Sequence, residues 1–390
     1  MAQPNVSKIR GASRPEQPRP ATAELALADA ARQPATSPTV RAIDVGFGLV
    51  KFTLPADGTL RFSSFPSLAI PADTSAVRSL STRRRDTFDV PVHGALYEVG
   101  QDVGLALAGG SFGRDVTDEF YKGKVYEAVT KGALRYMAEA GDSTIDVLVL
   151  GLPVHQFNDT VRRDYLRQTY EGELDVGGGK SVRVGRVIVQ AQPMGGYATL
   201  EEHLDALNRE IVTTGGALQP LASIDDLDQL AVLMVDPGEH TLDWLLIQQG
   251  TINPSASNAA SDAGRHRVLK AVQAALSEDI GRPLGVSVEP HINEALRKKM
   301  PVKLSGVAYD LTKYEPRVMS VIEDAVNRMI DGLRDATEIV DLIVLVGGHP
   351  DRYRDVLKQR FPAIPVFVMP ESVTANVRGF QMIGEAVAEP

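Results

Sequence analysis

Short apolar runs that stop at aspartate or glycine alternate with longer segments of helical spacing along most of this chain. Val40–Asp44 predicts a first strand, and Phe47–Leu54 and Thr59–Phe65 two more. Turn signals at Gly46 and Pro55-Ala56-Asp57-Gly58 separate them. Ser67–Asp86 reads as irregular, and its Arg83-Arg84-Arg85 run as a solvated loop. Phe88–Val92 and Ala95–Val99 flank His93-Gly94 as a hairpin, and a helix is expected over Glu119–Ala140. Thr144–Leu150 (TIDVLVL) is almost wholly apolar, the pattern of a strand covered on both faces. Gly151-Leu152-Pro153 ends it. A helix over Asn158–Tyr170, a strand over Val182–Gln190 and a helix over Gly196–Ile211 follow.

The second half repeats this grammar. Ala231–Asp236 (AVLMVD) is a buried-type strand ending in aspartate, and after Pro237-Gly238 a second strand runs over Thr241–Gln248. Helices are expected over Arg265–Ser277, Pro290–Lys299 and Pro316–Thr337. Leu342–Val346 is a strand that ends in Gly347-Gly348, and a helix (Arg352–Arg360), a strand (Val366–Met369) and a helix (Thr374–Val387) complete the chain. Two strand–Asp–Gly–strand units thus lie about 190 residues apart, a repeat of pattern and not of identity. Ahead of them, residues 1–38 carry Pro4, Pro15, Pro18, Pro20, Pro34 and Pro38. Such a segment buries too little apolar surface to offset its ordering entropy and reads as a disordered tail. Glu24–Ala31 within it has the composition of a short helix that a partner would induce.

The bulk numbers narrow the classes. At 390 residues there is room for two domains with a buried core. A formal net charge of −9 argues against direct nucleic-acid binding but leaves a route through a basic adaptor. With no cysteine there are no disulfides, thiolate catalysis or cysteine-ligated metals. No stretch approaches the roughly 20 apolar residues of a membrane helix, and the polar N-terminus is not a signal peptide. A cytoplasmic protein without membrane contact is expected.

The chemistry sits at the acidic turns. In Asp44-Val45-Gly46-Phe47-Gly48, a strand-end aspartate precedes two glycines, and Lys51 follows seven positions after the aspartate. Glycines let backbone N–H groups approach an anion. The aspartate suits a hydrated cation and the lysine a phosphate. Asp236-Pro237-Gly238-Glu239-His240-Thr241-Leu242-Asp243 has the same form. Thr241 there offers a hydroxyl or N–H to a phosphate, and Asp243 either meets the waters of a metal or locks the turn. A nucleotide polyphosphate with Mg²⁺ needs donors on two sides and carboxylates for the ion's waters. Each motif alone is an ordinary β-turn. Gly177-Gly178-Gly179-Lys180-Ser181 resembles the end of a P-loop, but Leu174 stands at the first glycine position and a strand follows, so a hairpin turn is expected. Lys51 likewise replaces the third glycine of a dinucleotide fingerprint, and the histidines show no zinc spacing.

Taken together, the motifs resemble those of the actin, Hsp70 and sugar-kinase superfamily. They are most similar to the ParM-like plasmid-segregation group and, within it, to the protein D family of PRTRC gene systems. Asp44, Gly46, Gly48 and Lys51 match the first phosphate motif. Asp236, Gly238, Thr241 and Asp243 match the second, and Val346-Gly347-Gly348 the adenosine motif. The resemblance covers residues 39–387. It implies an α/β fold, the actin-like (ribonuclease H-like) duplicated two-domain ATPase, with nucleotide in the interdomain cleft. Residues 39–195 would form domain I and 196–387 domain II.

The resemblance further implies ATP and Mg²⁺ as cofactors, with Asp44 and Asp236 holding the metal through water and Asp236 also counted as catalytic. The residue that positions the attacking water is placed after a strand and at the start of a helix. In Val187-Ile188-Val189-Gln190-Ala191-Gln192-Pro193 that is Gln192, with Gln190 as the alternative that the register of the turn decides. The family's implied activity is slow ATP hydrolysis with assembly into cytoskeletal filaments that segregate plasmids through a DNA-binding adaptor. The chain departs from the pattern at Glu239-His240, where a second glycine or small residue is usual, and at His349-Pro350. Two other readings stand beside this one: a small-metabolite or sugar kinase of the same superfamily, and a non-enzymatic scaffold gated by nucleotide.

Overall fold

A computed structural model describes residues 37–56, 59–72, 85–106, 118–348 and 350–389. The proline-rich tail with Glu24–Ala31, the turn residue Gly58, the basic pair Arg83-Arg84 and His349 lie outside the described residues. The first half begins with β1 (Val40–Val45), β2 (Leu49–Ala56) and β3 (Thr59–Pro66), then the short β4 (Ile70–Pro71), β5 (Phe88–Val92) and β6 (Ala95–Val99). Next come α1 (Lys124–Glu139), β7 (Thr144–Leu152), α2 (Val154–Phe157), α3 (Thr160–Tyr170), β8 (Gly172–Asp175) and β9 (Ser181–Ala191). Helices α4 (Gln192–Ala198) and α5 (Leu204–Thr214) lead into the second half. That half contains β10 (Ala231–Pro237), β11 (Thr241–Gln248), β12 (Thr251–Ile252), β13 (Asn258–Ser261), α6 (Arg265–Ile280) and α7 (Glu289–Lys298). It continues through β14 (Val302–Leu304), β15 (Val307–Tyr309), α8 (Glu315–Leu333), β16 (Leu342–Leu345), α9 (Pro350–Arg360), β17 (Val366–Val368) and α10 (Ser372–Ala388).

Both halves use one topology. The first sheet is ordered β3-β2-β1-β7-β9-β8, and the second β12-β11-β10-β16-β17 with β13 also on β11. In each, an antiparallel hairpin (β1–β2 or β10–β11) continues into parallel strands (β7 and β9, or β16 and β17). Every residue of β1 and β10 is buried, as expected of strands covered on both faces, with Arg41 of β1 paired to Asp142. α8 covers the second sheet with a stripe of Val318, Ile322, Ala325, Val326 and Met329, the spacing of one helical face. α3 starts where Asp159 accepts the N–H of Val161, an N-cap that follows from its sequence.

Differences from the sequence expectations have local causes. The helix expected from Glu119 starts at Lys124, because a 3₁₀ turn at Phe120–Lys122 and Gly123 precede it. The helix expected over Gly196–Ile211 is two helices, α4 and α5, parted by a 3₁₀ turn at Leu200–His203. Phe47 and Gly48 form the tip of the first hairpin and not the start of β2. β8, β13, β14 and β15 are short and largely exposed, and gave no strand signal. The triple glycine joins β8 to β9 as a hairpin turn, with Lys180 N–H donating to Gly177 C=O. Arg85 is not a solvated charge, since its guanidinium lies 3.1 Å from the buried Glu98.

The last helix returns to the first sheet. Val377 and Phe380 of α10 pack with Val40, Ala42, Val147 and Val149, while α4 and α5 cover the second sheet beside Val232 and Met234. α4 and α10 therefore cross where the halves meet. A Cβ on Gly379 would sit 1.7 Å from Gly195 O, and one on Gly195 would sit 2.2 Å from Asn376 O, so only glycines allow the crossing. The described residues from Pro38 onward form one compact unit.

Candidate functional site

The two acidic hairpins are built alike and face each other. Asp44 lies opposite Lys51 across β1–β2, and Asp236 opposite Asp243 across β10–β11. Each turn is closed by its leading glycine: Gly46 N–H donates to Leu49 C=O at 3.0 Å, and Gly238 N–H to Thr241 C=O at 2.8 Å. The N–H groups of Gly46 and Gly238 are thus committed to the turns. The hairpin tips touch. The Phe47 ring meets His240 edge-on at 5.6 Å between centroids, and His240 stacks on His266 at 4.3 Å. Glu239 lies against Gly48 and accepts from Arg265 Nε at 2.9 Å. The bulky Glu239-His240 pair therefore packs against α6 and the opposing tip.

Six of the side chains singled out from the sequence converge here. Lys51 Nζ donates to Asp44 Oδ2 at 2.8 Å, and Gln192 Nε2 donates to Asp44 Oδ1 at 2.8 Å. Gln192 is the first residue of α4, whereas Gln190 lies inside β9 opposite Gly151. Gln192 thus reaches the first aspartate. Asp236 accepts from Asn376 Nδ2 at 2.6 Å. Asp243 accepts from the Thr241 hydroxyl at 2.5 Å and from the Val154 N–H, at the start of α2, at 3.0 Å. Both Asp243 oxygens are engaged and the Thr241 hydroxyl is spent on one of them, which favours turn-locking among the uses open to this aspartate. Gly347 follows β16 with φ of 74°, and a Cβ there would stand 2.0 Å from Asp236 Oδ1. The glycine is what lets the loop after β16 touch the second hairpin.

Burial sets the electrostatics. Asp44 is 1% exposed, Asp243 2% and Asp236 8%. Removal from water raises the pKa of Asp236; Lys51 opposes this, Asp44 adds to it, and the Asn376 hydrogen bond opposes it. Burial likewise pushes Asp243 up to about 7, against the hydrogen bonds from Thr241 and Val154. Burial works against the Lys51 ammonium, but Asp44 and Asp236 outweigh it and the pKa is raised. Asp44 and Asp236 around one ammonium leave a desolvated excess of negative charge that a dication would offset.

The oxygen-only donor set suits a hard cation such as Mg²⁺. Among the described residues, no three carboxylate or imidazole side chains stand close enough to ligate one metal directly. Asp44 and Asp236 fit water-mediated holding, the mode Mg²⁺ favours. Beside Gly238 and Gly348 opens a pocket, partly open to solvent, lined also by Arg265, Leu269, Asn293, Arg352 and Tyr353. Sequence reasoning missed these lining residues, Asn376 and Val154. Asn376 left one signal, a polar residue between Ala375 and Val377 in a helix whose buried positions are otherwise Ala, Val, Gly and Phe except for Gln381.

This duplicated pair of sheets with its loops at a shared cleft is the two-domain actin-like α/β fold. Residues 42–195 match the family of actin-like proteins, N-terminal domain, and residues 234–359 match the archaeal actin homologue MreB-like C-terminal family. No curated protein matches the chain by sequence. Among solved structures, the chain is similar to a ParM filament protein from Clostridium botulinum, at 15% identity and a TM-score of 0.66, over 90% of this chain and 100% of that one. It is also similar to apo pSK41 ParM, at 15% identity and a TM-score of 0.61, over 90% and 98%. An archaeal actin homologue in complex with ADP matches at 16% identity and a TM-score of 0.64, over 89% and 99%. Among the described residues no helix is long and apolar enough to cross a membrane.

Proposed function

We propose that the chain is a ParM-like actin-type ATPase that binds and hydrolyses ATP with Mg²⁺, assembles into filaments and acts in plasmid segregation. The observation that carries this reading is the convergence of Asp44, Lys51, Gln192, Asp236 and Asp243 from both halves into one buried, negatively charged cleft. The likeness to a ParM filament and to an ADP-bound archaeal homologue supports it. So does the pocket beside Gly238 and Gly348, which joins the second hairpin to the loop after β16. Residues 39–195 and 196–387 serve as the two domains, except that α10 from the second stretch packs on the sheet of the first. The narrower likeness to the PRTRC protein D family, a DNA-binding adaptor and a cytoplasmic location belong to the same proposal and rest on the sequence motifs.

In this reading Asp44 and Asp236 hold the waters of the metal, one from each half. When bound, Mg²⁺ supplies charge neutralisation on the phosphates. Lys51 turns from Asp44 to a phosphate oxygen. Thr241 and Asp243 keep the second hairpin in shape, and the Gly347-Gly348 loop carries the adenosine. Gln192 orients the attacking water by hydrogen bonds, since an amide is no strong base. Contacts made by both hairpins to the γ-phosphate hold the halves together, and hydrolysis loosens them.

Sedimentation and electron microscopy with ATP, ADP and no nucleotide, with phosphate release measured alongside, test the proposal. ATP-dependent pelleting with phosphate release is the expected result. Pelleting with a non-hydrolysable analogue but no phosphate release from ATP would favour a scaffold, and sugar-stimulated ATP consumption a kinase.

A further inference from the structure

Asn376 stands in an unusual place. It is 1% exposed, its Nδ2 donates to Asp236 Oδ2 at 2.6 Å, and its Oδ1 is buried with no hydrogen-bond partner. A buried amide carbonyl left unpaired is costly, so something must fix the side chain in this orientation. Asp236 does so, since flipping the amide would put Oδ1 against the carboxylate.

The helix that carries Asn376 is tied to the other half of the molecule. On α10, Gln381 accepts from the Thr53 hydroxyl at 2.9 Å and donates to Val40 C=O at 3.0 Å, both on the first sheet. The Asn376 backbone also lies against Gly195 of α4 at the helix crossing. Three residues earlier, the first residue of α4, Gln192, holds Asp44. Each aspartate is thus gripped by an amide side chain on one of two helices in backbone contact.

We propose that Asn376 is a positioning residue. It fixes the Asp236 carboxylate for metal-bound nucleotide and makes that orientation follow the α4–α10 crossing, and so the relation between the halves. This rests on the ATPase reading above. Asp236 Oδ1 is confined by Gly347 and Oδ2 by Asn376, so loss of the amide leaves one side of the carboxylate unrestrained. Partners that orient a metal-holding group typically set metal affinity by about 10- to 100-fold.

The test uses the full chain and its Asn376→Leu, Asn376→Ser and Gln381→Leu variants. Nucleotide binding is measured by calorimetry in Mg²⁺ and in EDTA. The expected result for Asn376→Leu is an increase of about ten-fold or more in the Mg²⁺ concentration for half-maximal binding. ATP affinity in EDTA stays within about two-fold of wild type, Asn376→Ser recovers part of the loss through its hydroxyl, and Gln381→Leu shows no such selective change. An unchanged Mg²⁺ requirement, or equal loss of binding with and without Mg²⁺, overturns the proposal. A separate double-mutant cycle on thermal unfolding combines Asp236→Asn with Asn376→Leu and needs no nucleotide. Coupling between the two supports the pairing, and strict additivity overturns it. If wild type binds no Mg²⁺-nucleotide while the cycle shows coupling, the ATPase reading fails and the pairing stands as a brace between halves only.

Discussion

The N–H of Val154 donates to Asp243 Oδ1 at 3.0 Å. Val154 opens α2 directly after β7 of the first sheet, and Asp243 lies on β11 of the second, so this bond crosses the cleft. It ties the second hairpin to the first half at a carboxylate whose charge state is unsettled near neutral pH.

That bond leads to a pH prediction. The folded pKa of Asp243 is raised to about 7, first by burial. The folded chain therefore favours the neutral acid. The resulting stabilisation is full below the unfolded value of about 3.9 and is lost as pH rises through about 7. In buffer without nucleotide or metal, wild type should lose thermal stability relative to Asp243→Asn between pH 4 and 8, by about 2–4 °C or more. Paired melting curves check this. A constant offset across the range would show that Asp243 does not titrate there.

Asp236→Ala removes the carboxylate that Asn376 and Gly347 enclose. The expected outcome is a fall of about 100-fold or more in Mg²⁺-dependent ATP affinity with hydrolysis abolished, read by calorimetry and phosphate release. Normal ATP turnover in this variant would remove Asp236 from the site.

Gln192→Ala should lower phosphate release by about 10²-fold while ATP-dependent pelleting persists. Gln190→Ala should leave turnover near wild type, because Gln190 sits within β9 and Gln192 is the glutamine bonded to Asp44. Equal loss in both variants would reopen the choice.

Gly347→Ala places a Cβ 2.0 Å from Asp236 Oδ1 at a backbone φ of 74°. Strain of about 1–3 kcal/mol adds to displacement of the carboxylate, so both melting temperature and ATP affinity should fall. Gly348→Ala is the control for melting temperature only, since a Cβ there meets nothing closer than Pro237 O at 4.0 Å. Differential scanning calorimetry with and without ATP distinguishes the two.

Much of the frame was legible in advance. β1, β7, β10 and β16 announced themselves as apolar runs, and both hairpins as an aspartate before a glycine turn. The repeat in pattern became a repeat in topology, with Asp44–Lys51 and Asp236–Asp243 at matching positions. The helix crossing was not legible. Gly379 lies unmarked within an expected helix, and the reason for it and for Gly195 lies in a second backbone that arrives from far along the chain.

What the sequence determined by itself was local: strand and helix identity, the form of the two turns, and which residue types stand at their ends. These follow from side-chain periodicity and backbone preferences among near neighbours. Only the tertiary structure decided that Asn376 meets Asp236 across 140 residues, that Gln192 holds Asp44, and that α10 covers the first sheet. It also decided that burial raises the pKa of Asp243 to about 7. Desolvation and charge pairing depend on everything that surrounds a group in space, and chain order does not set those neighbours.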